Sequence, residues 1–168
     1  MNYFEQDLEF SQEASLESFW EAIYKKAFPE MEWHKPCKEN GNGQKQGIDR
    51  FVYLKTGKTL LIDEKKRREV YPDIALEVKN IFDNGKETLG WMEKELLIDF
   101  LVYAFMPIKT AYLFPWSLLR RTWLVHKDSW IKNYSLIPAE NKGYKTFFVP
   151  VPIDVLLSKL RTSMIIKV

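Results

Sequence analysis

The chain has few of the features that mark secreted or membrane-bound proteins. A single cysteine, Cys37, occurs among 168 residues, so an internal disulfide is excluded and a reducing compartment is expected. The first six residues have neither the basic start nor the apolar stretch of a signal peptide. The longest apolar segment, 96–108, is interrupted by Asp99 and Pro107 and is too short to cross a bilayer. We therefore expect a soluble, cytoplasmic protein with no membrane partner.

Several common functional motifs are also missing. The sequence has two histidines, and although His34 and Cys37 are three residues apart, no second pair completes a zinc site. No glycine-rich phosphate loop, dinucleotide fingerprint or Ser-His-Asp order occurs. The net charge of +2 does not by itself indicate a polyanionic partner. Overall charge and common motifs therefore do not identify the activity.

Apolar and aromatic residues are abundant. Hydrophobic residues make up 46% of the chain and aromatic residues 15%, which is typical of a protein with a packed core. The length suits one domain, since domains usually have about 100–200 residues. No repeat, low-complexity stretch or linker divides the sequence. We expect residues 1–168 to form a single domain.

Apolar periodicity predicts an α/β fold, a mixed β-sheet with flanking helices. A helix is predicted over 15–28, with Ser15 as its N-cap and Pro29 at its end. The polar stretch Lys35–Gly47 is interpreted as a mobile loop. The other predicted elements are strands 48–54, 59–65 and 73–78, a helix over 91–105, a strand over 109–114, a helix over 116–125, a strand over 147–151 and a short helix from Pro152 through Leu160.

The first two predicted strands form a hairpin whose turn sets their register. A three-residue loop at 55–57 requires a positive φ at its end, which Gly57 tolerates. This loop places Asp49 directly opposite Asp63, with Lys65 on the same face. A two-residue turn at 56–57 would instead pair Asp49 with Glu64 and move Asp63 to the other face. The shared face therefore depends on one turn assignment.

Two carboxylates that face each other need a compensating positive charge or proton. At about 4 Å and an effective dielectric constant near 20, their repulsion is on the order of 4 kcal/mol. A shared proton, a basic neighbour or a divalent cation would relieve it, and closely spaced oxygen ligands suit Mg²⁺ or Mn²⁺. Lys65 would then orient or activate a water, or stabilise charge on a phosphate. The alternative is a surface strand whose acids pair with Lys65, Lys66 and Arg50.

The hairpin carries a family resemblance. Gly47-Ile48-Asp49-Arg50, followed by Leu60-Leu61-Ile62-Asp63-Glu64-Lys65, resembles the signature of the PD-(D/E)XK nuclease superfamily, and most closely its RecB-like branch. The resemblance implies a restriction-endonuclease-like αβββαβ core over about 13–114, with a C-terminal helix, strand and helix over about 115–168. The whole chain would then be one nuclease-like domain.

The same resemblance implies roles for individual residues. Asp49 and Asp63 match the acids that bind the catalytic metal, and Lys65 matches the lysine that positions the water. Glu64 departs from the family pattern, which usually has an apolar residue at this position, and it leaves a rival frame in which Glu64 and Lys66 take these roles. We prefer Asp63 because the turn places it opposite Asp49.

Other charged residues are candidates for supporting roles. Glu17 matches the acid on the first helix and is a further candidate metal ligand, with a solvated surface position as the alternative. Glu77, on the third strand, either reaches the metal or faces water. Lys66, Arg67 and Arg68 are candidate nucleic-acid contacts, although such a run is also typical of a solvated turn.

The resemblance therefore implies a magnesium- or manganese-dependent deoxyribonuclease of phage, mobile-element or repair type, with DNA as its partner. The alternative is a non-catalytic nucleic-acid-binding or protein-interaction module on the same fold. The sequence leaves a homodimer open, and it does not choose between duplex, single-stranded and branched substrates.

Overall fold

The computed structural model describes residues 16–37, 46–160 and 163–168. A helix over 16–27 (α1) comes first. The elements that follow are β1 (Met31–Pro36), β2 (Arg50–Leu54), β3 (Thr59–Arg67), β4 (Asp73–Phe82), β5 (Glu87–Leu89), β6 (Phe100–Phe105), β7 (Thr110–Pro115), α2 (Trp116–Tyr134), β8 (Ile137–Asn141), β9 (Tyr144–Pro152), α3 (Ile153–Lys159) and β10 (Met164–Lys167). A short 3-10 turn, Met106–Ile108, joins β6 to β7.

The strands form two sheets. The first has the order β1-β2-β3-β6-β7-β10 and is mixed, because β3 and β6 are parallel while its other neighbouring strands are antiparallel. The second has the order β5-β4-β9-β8 and is antiparallel throughout. The predicted α/β class with a mixed sheet is confirmed.

Two hydrophobic cores cover the two faces of the first sheet. On one face α1 packs its aromatic stripe, with Trp20 and Tyr24 fully buried, against Val52 and Ile62. On the opposite face the first sheet packs against the second sheet, α2 and α3. Within the part of the chain that the structure describes, no helix combines the length and apolar character needed to span a membrane.

The hairpin formed by β2 and β3 has the predicted register. Phe51 pairs with Leu61 and Tyr53 with Thr59, and the Leu54 N–H donates to the Lys58 carbonyl across the loop. Gly57 has φ +81°, as the three-residue loop requires. Asp49 immediately precedes β2, so the strand begins later than predicted, but the pairing across the hairpin is confirmed.

The predicted helix over 91–105 is wrong. Phe100–Phe105 is strand β6, and residues 91–99 are turns and irregular backbone. β6 lies between β3 and β7, and every residue from Leu101 to Phe105 is at most 2% exposed. A strand buried on both faces has a continuous apolar sequence, which periodicity cannot distinguish from a buried helix. The second helix of the αβββαβ order is therefore replaced by irregular chain.

Other elements differ in extent or partner. The strand predicted over 73–78 exists but continues to Phe82 and belongs to the second sheet. The helix predicted to end at Val125 continues to Tyr134, since Trp130 extends the buried stripe of Trp123 by two turns. The loop predicted over Lys35–Gly47 begins later, because Lys35 and Pro36 belong to β1, and residues 38–45 lie outside the described residues. Ser15 also lies outside them.

Candidate active site

Asp49 is held in place by backbone hydrogen bonds to both neighbouring segments. Its N–H donates to the carbonyl of Ile62 at 2.8 Å, and its carbonyl accepts from the N–H of Cys37 at 2.7 Å. The Asp49 side chain is fixed as well, because its Oδ2 accepts from the backbone N–H of Glu64 at 2.8 Å. The carboxylate is therefore anchored beside β3.

Asp63 is the buried member of a carboxyl pair. It is 1% exposed and shares a hydrogen bond with the side chain of Asp49, while Lys65 Nζ lies 2.5 Å from Asp63 Oδ1. The pKa of Asp63 is raised to about 7, chiefly by burial, while the charge of Lys65 opposes this rise and that of Asp49 adds to it. Asp49, Asp63 and Lys65 therefore come together on one face, where the neighbouring Lys65 ammonium relieves the repulsion between the carboxylates.

The donor set of this pair suits a hard divalent cation. A divalent cation bound between the two carboxylates would neutralise both of their charges. Within residues 16–37, 46–160 and 163–168, no group of three or more His, Cys, Asp or Glu side chains is gathered as metal ligands. Mg²⁺ is commonly bound through one or two carboxylates together with water and phosphate oxygens, so the pair fits such an ion.

Arg50 organises a separate ionic network on the face of the sheet that α1 covers. The guanidinium is 2% exposed and donates from Nε to Glu64 Oε1 at 2.5 Å, and from both terminal nitrogens to Glu17 at 2.8 Å. Tyr24 donates its hydroxyl to Glu64 Oε1 at 2.8 Å, and His34 Nδ1 lies 2.9 Å from Arg50 Nη1. Arg50 lowers the pKa of Glu17, and burial raises that of Glu64.

This network places two of the predicted residues away from the carboxyl pair. Both oxygens of Glu17 accept hydrogen bonds from Arg50, so the structure does not gather Glu17 with Asp49 and Asp63. The rival frame required Glu64 as the second acid, but its carboxylate is occupied by Arg50 and Tyr24. The geometry therefore favours the frame that contains Asp63.

The face that carries Lys65 opens into a cleft between the two sheets. Its inner part is a cavity of about 170 Å³, lined by Glu64, Lys65, Lys66, Arg67, Ala75, Glu77, Trp91 and Tyr103. Glu77 lies here, near Lys65 rather than in a ligand set with the carboxyl pair. Burial raises its pKa, while Lys65, Arg67 and a hydrogen bond with Trp91 lower it. Glu77 therefore shares the cleft with Lys65.

The basic residues Lys66, Arg67 and Arg68 lie on different surfaces of the protein. Arg67 belongs to the cleft, where its Nε donates to the Tyr103 hydroxyl at 2.5 Å and its guanidinium carbon lies 5.6 Å from the Tyr103 ring centre. Lys66 is exposed, and its charge lowers the pKa of Glu17 on the α1 face. Arg68 is exposed after the end of β3. The run thus places Arg67 and Lys66 along the cavity and Arg68 outside it, instead of forming a uniform basic surface.

A β-bulge in β4 aligns the side chains along the cleft. The register with β9 shifts between Glu77 and Lys79, so that Glu77 and Asn80 face the same side. The Gly90 N–H donates to the Val78 carbonyl at 2.8 Å, and the Met92 N–H donates to the Glu77 carbonyl at 3.0 Å. Bulges commonly redirect a side chain near functional sites.

Gly90→Ala is expected to destabilise the fold. A Cβ at Gly90 would lie 2.4 Å from the carbonyl carbon and oxygen of Glu77, so the backbone of the bulge would have to move. We expect a cost of about 3 kcal/mol or more in the free energy of unfolding, at the upper end for an overpacked interior. Urea unfolding measures it.

Gly85→Ala is the matched control in the neighbouring turn. Gly85 has φ +79°, and a Cβ there would meet no atom within 4 Å, so alanine adds only the backbone strain of a positive φ, about 1 kcal/mol. Equal costs for the two variants would show that the bulge does not depend on the close approach of Gly90.

Sequence patterns missed the Arg50 network and the wall of the cleft formed by the second sheet. The alternation of side chains along β2 was a usable signal for Arg50, because it puts Arg50 on the face opposite to Asp49. The cleft had no comparable signal, because β4 pairs with β9 from a distant part of the chain.

Comparisons with known proteins do not assign a family. No protein-family model matches the chain, and no curated protein matches it. A solved structure that is similar to the chain is that of a nuclease from a fusselovirus, with 12% sequence identity, a TM-score of 0.37, and coverage of 96% of this chain and 94% of that one. A similarity at this level assigns neither a family nor an activity.

Proposed function

We propose that this protein is a metal-dependent nuclease that hydrolyses phosphodiester bonds in DNA, and that it is a divergent member of the PD-(D/E)XK superfamily near the RecB-like branch. The observation that carries the proposal is the pair of buried Asp63 and half-buried Asp49, with Lys65 beside it. The pKa of Asp63 is raised to about 7, chiefly by burial, and groups with such shifted pKa values cluster at functional sites.

In this proposal Asp49 and Asp63 hold Mg²⁺ or Mn²⁺. The bound ion supplies a Lewis acid that neutralises phosphate charge and increases the acidity of a bound water. The backbone N–H of Glu64 orients Asp49, and Lys65 orients Asp63. These contacts preorganise both carboxylates before the ion binds.

Lys65 and the other cations of the cleft act on the substrate. In hydrolysis a water oxygen loses a proton to the solvent and bonds to phosphorus, and the bond from phosphorus to the leaving sugar oxygen breaks as that oxygen takes up a proton from the solvent. The Lys65 ammonium, which lines the inner cavity, stabilises the negative charge that develops on the phosphate oxygens. Arg67 and Lys94 line a second cavity that adjoins the inner one, and there they contact neighbouring phosphates.

A cleavage assay tests the proposal. Purified protein is incubated with supercoiled plasmid, single-stranded DNA and a four-way junction, in Mg²⁺, in Mn²⁺ and in EDTA. We expect cleavage of at least one substrate in metal and none in EDTA. Binding without cleavage would contradict catalysis and favour a non-catalytic nucleic-acid-binding module. Absence of salt-sensitive binding would favour a protein-interaction module.

In the metal-free protein, Asp63→Asn is expected to increase stability at alkaline pH. Because the pKa of Asp63 is raised from 3.8 to about 7, the folded state keeps a proton that the unfolded chain has lost between these pH values. Wild-type stability therefore falls by at most about 1.4 kcal/mol per pH unit across this window and the loss is complete above it. Asparagine removes this loss, so its advantage is largest above pH 7.

Urea unfolding at pH 5 and pH 8 in EDTA measures the effect. Asp128→Asn, at an exposed position of α2, is the control, and its difference from the wild type should not change between the two pH values. An Asp63→Asn variant that is less stable than the wild type at pH 8 would show that folding does not raise the pKa of Asp63.

A further inference from the structure

The cleft continues outward over the second sheet as a larger cavity of about 500 Å³, the outer cavity. Arg67, Ala75 and Glu77 line both this cavity and the inner one, so the two are adjacent. A substrate strand whose phosphate lies at Lys65 would therefore place its neighbouring nucleotides over the second sheet. What this surface binds is an inference that rests on the proposed function.

Aromatic rings form one part of the outer cavity. Phe82, Tyr144 and Phe148 all line it, and the rings of Phe82 and Tyr144 are 5.4 Å apart with 32° between their planes. The side chains are only partly buried, and Phe82 is 36% exposed. Exposed ring faces in a groove with cations are the feature on which unpaired nucleobases stack.

Fixed amides form the other part. Asn141 Nδ2 donates to Thr146 Oγ1 at 3.1 Å, and the Thr146 hydroxyl donates to Asn80 Oδ1 at 2.7 Å. This chain of hydrogen bonds orients two amide groups at the cavity before any ligand is present. Amides carry both donors and acceptors, and these match the edges of nucleobases.

We propose that the outer cavity is a binding site for an unpaired nucleobase of the substrate strand, so that the enzyme acts on single-stranded DNA or on the single-stranded part of a branched DNA. The reason is access to the base. In a duplex both faces of each base are stacked and its pairing edge is occupied, whereas a splayed-out base exposes a face to the rings and an edge to Asn80 and Asn141. Arg67 and Lys94 provide the charge for the phosphates that flank the base.

Neighbouring residues of β9 give a matched pair of variants. Phe148→Ala removes a ring from the cavity, and Phe147→Ala removes an equal ring from the opposite face of β9, where Lys79 Nζ lies 5.7 Å from the ring centre. Asn141→Ala is a third variant at an exposed position, so its folding is not at risk. Thermal unfolding confirms that each variant is folded before binding is measured.

Binding is measured by fluorescence anisotropy in EDTA, with a labelled oligothymidine and a duplex of equal length as probes. We expect Phe148→Ala to weaken binding of the single strand about 10-fold and to change duplex binding less than about 2-fold, because stacking on one ring is worth roughly this much. Asn141→Ala should weaken single-strand binding to a smaller extent, and Phe147→Ala should change neither.

Equal losses on single-stranded and duplex DNA, or no loss in Phe148→Ala and Asn141→Ala, would overturn the inference. The cleavage assay separates this failure from that of the proposed function. If the wild type cleaves DNA but Phe148→Ala binds single strands as well as the wild type does, the proposed nuclease activity is supported and the base site is contradicted. If the wild type cleaves no DNA but Phe148→Ala binds single strands more weakly than the wild type does, the base site is supported and the proposed nuclease activity is contradicted.

Discussion

Replacing Lys65 by alanine is expected to lower the turnover of DNA cleavage by about 10²–10⁴-fold, the range for a positioned electrostatic or proton-transfer group. Lys65 is 30% exposed in the cleft and its ammonium contacts the Asp63 carboxyl group. In the proposed mechanism it would therefore lie between the proposed metal ligands and a bound phosphate. Metal affinity should stay nearly intact, because lysine is not a ligand. Single-turnover kinetics at saturating DNA and metal measure the effect.

Lys66→Ala is the matched control. The two lysines are adjacent on β3 and carry the same charge, but Lys66 is exposed and acts on Glu17 across the α1 face. Its loss should weaken DNA binding in a salt-dependent manner without a comparable loss of turnover. The rival frame makes the opposite prediction. It would be supported if Lys66→Ala were inactive in cleavage while Lys65→Ala stayed active.

Arg50→Met is expected to reduce the free energy of unfolding by about 3–5 kcal/mol, the cost of removing one partner from a buried ion pair. Glu64 would lose its cation although its side chain is only 7% exposed. The flanking rings of Trp20 and Tyr24, both fully buried, leave little room for water to replace the guanidinium. Urea unfolding at neutral pH measures the loss.

The double variant Arg50→Met/Glu64→Met distinguishes an unpaired charge from lost packing. An apolar pair of similar size often replaces a buried ion pair at little cost, so the double variant should be more stable than Arg50→Met alone. Glu17→Ala should cost far less than Arg50→Met, because the Glu17 side chain is 47% exposed. A double variant that is no more stable than Arg50→Met would contradict an electrostatic role for this network.

The site was predictable from the sequence where local rules decide the geometry. Gly57 selects a three-residue loop, the loop sets the pairing of β2 with β3, and alternation then places Asp49, Asp63 and Lys65 on one face. None of these steps requires knowledge of the rest of the chain. The geometry is confirmed, while the roles of the three residues remain predictions.

The remaining features depend on contacts between distant segments. The segment 100–105 is a strand because β3 and β7 pair with it on either side, and no pattern within the segment records this. Glu77 and Asn80 face the cleft together because Gly90 supports a bulge, which requires knowledge of backbone approach. Periodicity describes one element at a time, so it misses such arrangements.

The most direct measurement is the location of a bound metal ion. A crystal grown with Mn²⁺ and measured at a wavelength where manganese scatters anomalously shows the ion without reference to activity. We expect a peak between the carboxyl groups of Asp49 and Asp63, and the loss of this peak in Asp63→Asn. A peak at Glu17 and Glu64, or none near Asp49 and Asp63 at saturating Mn²⁺, would contradict it.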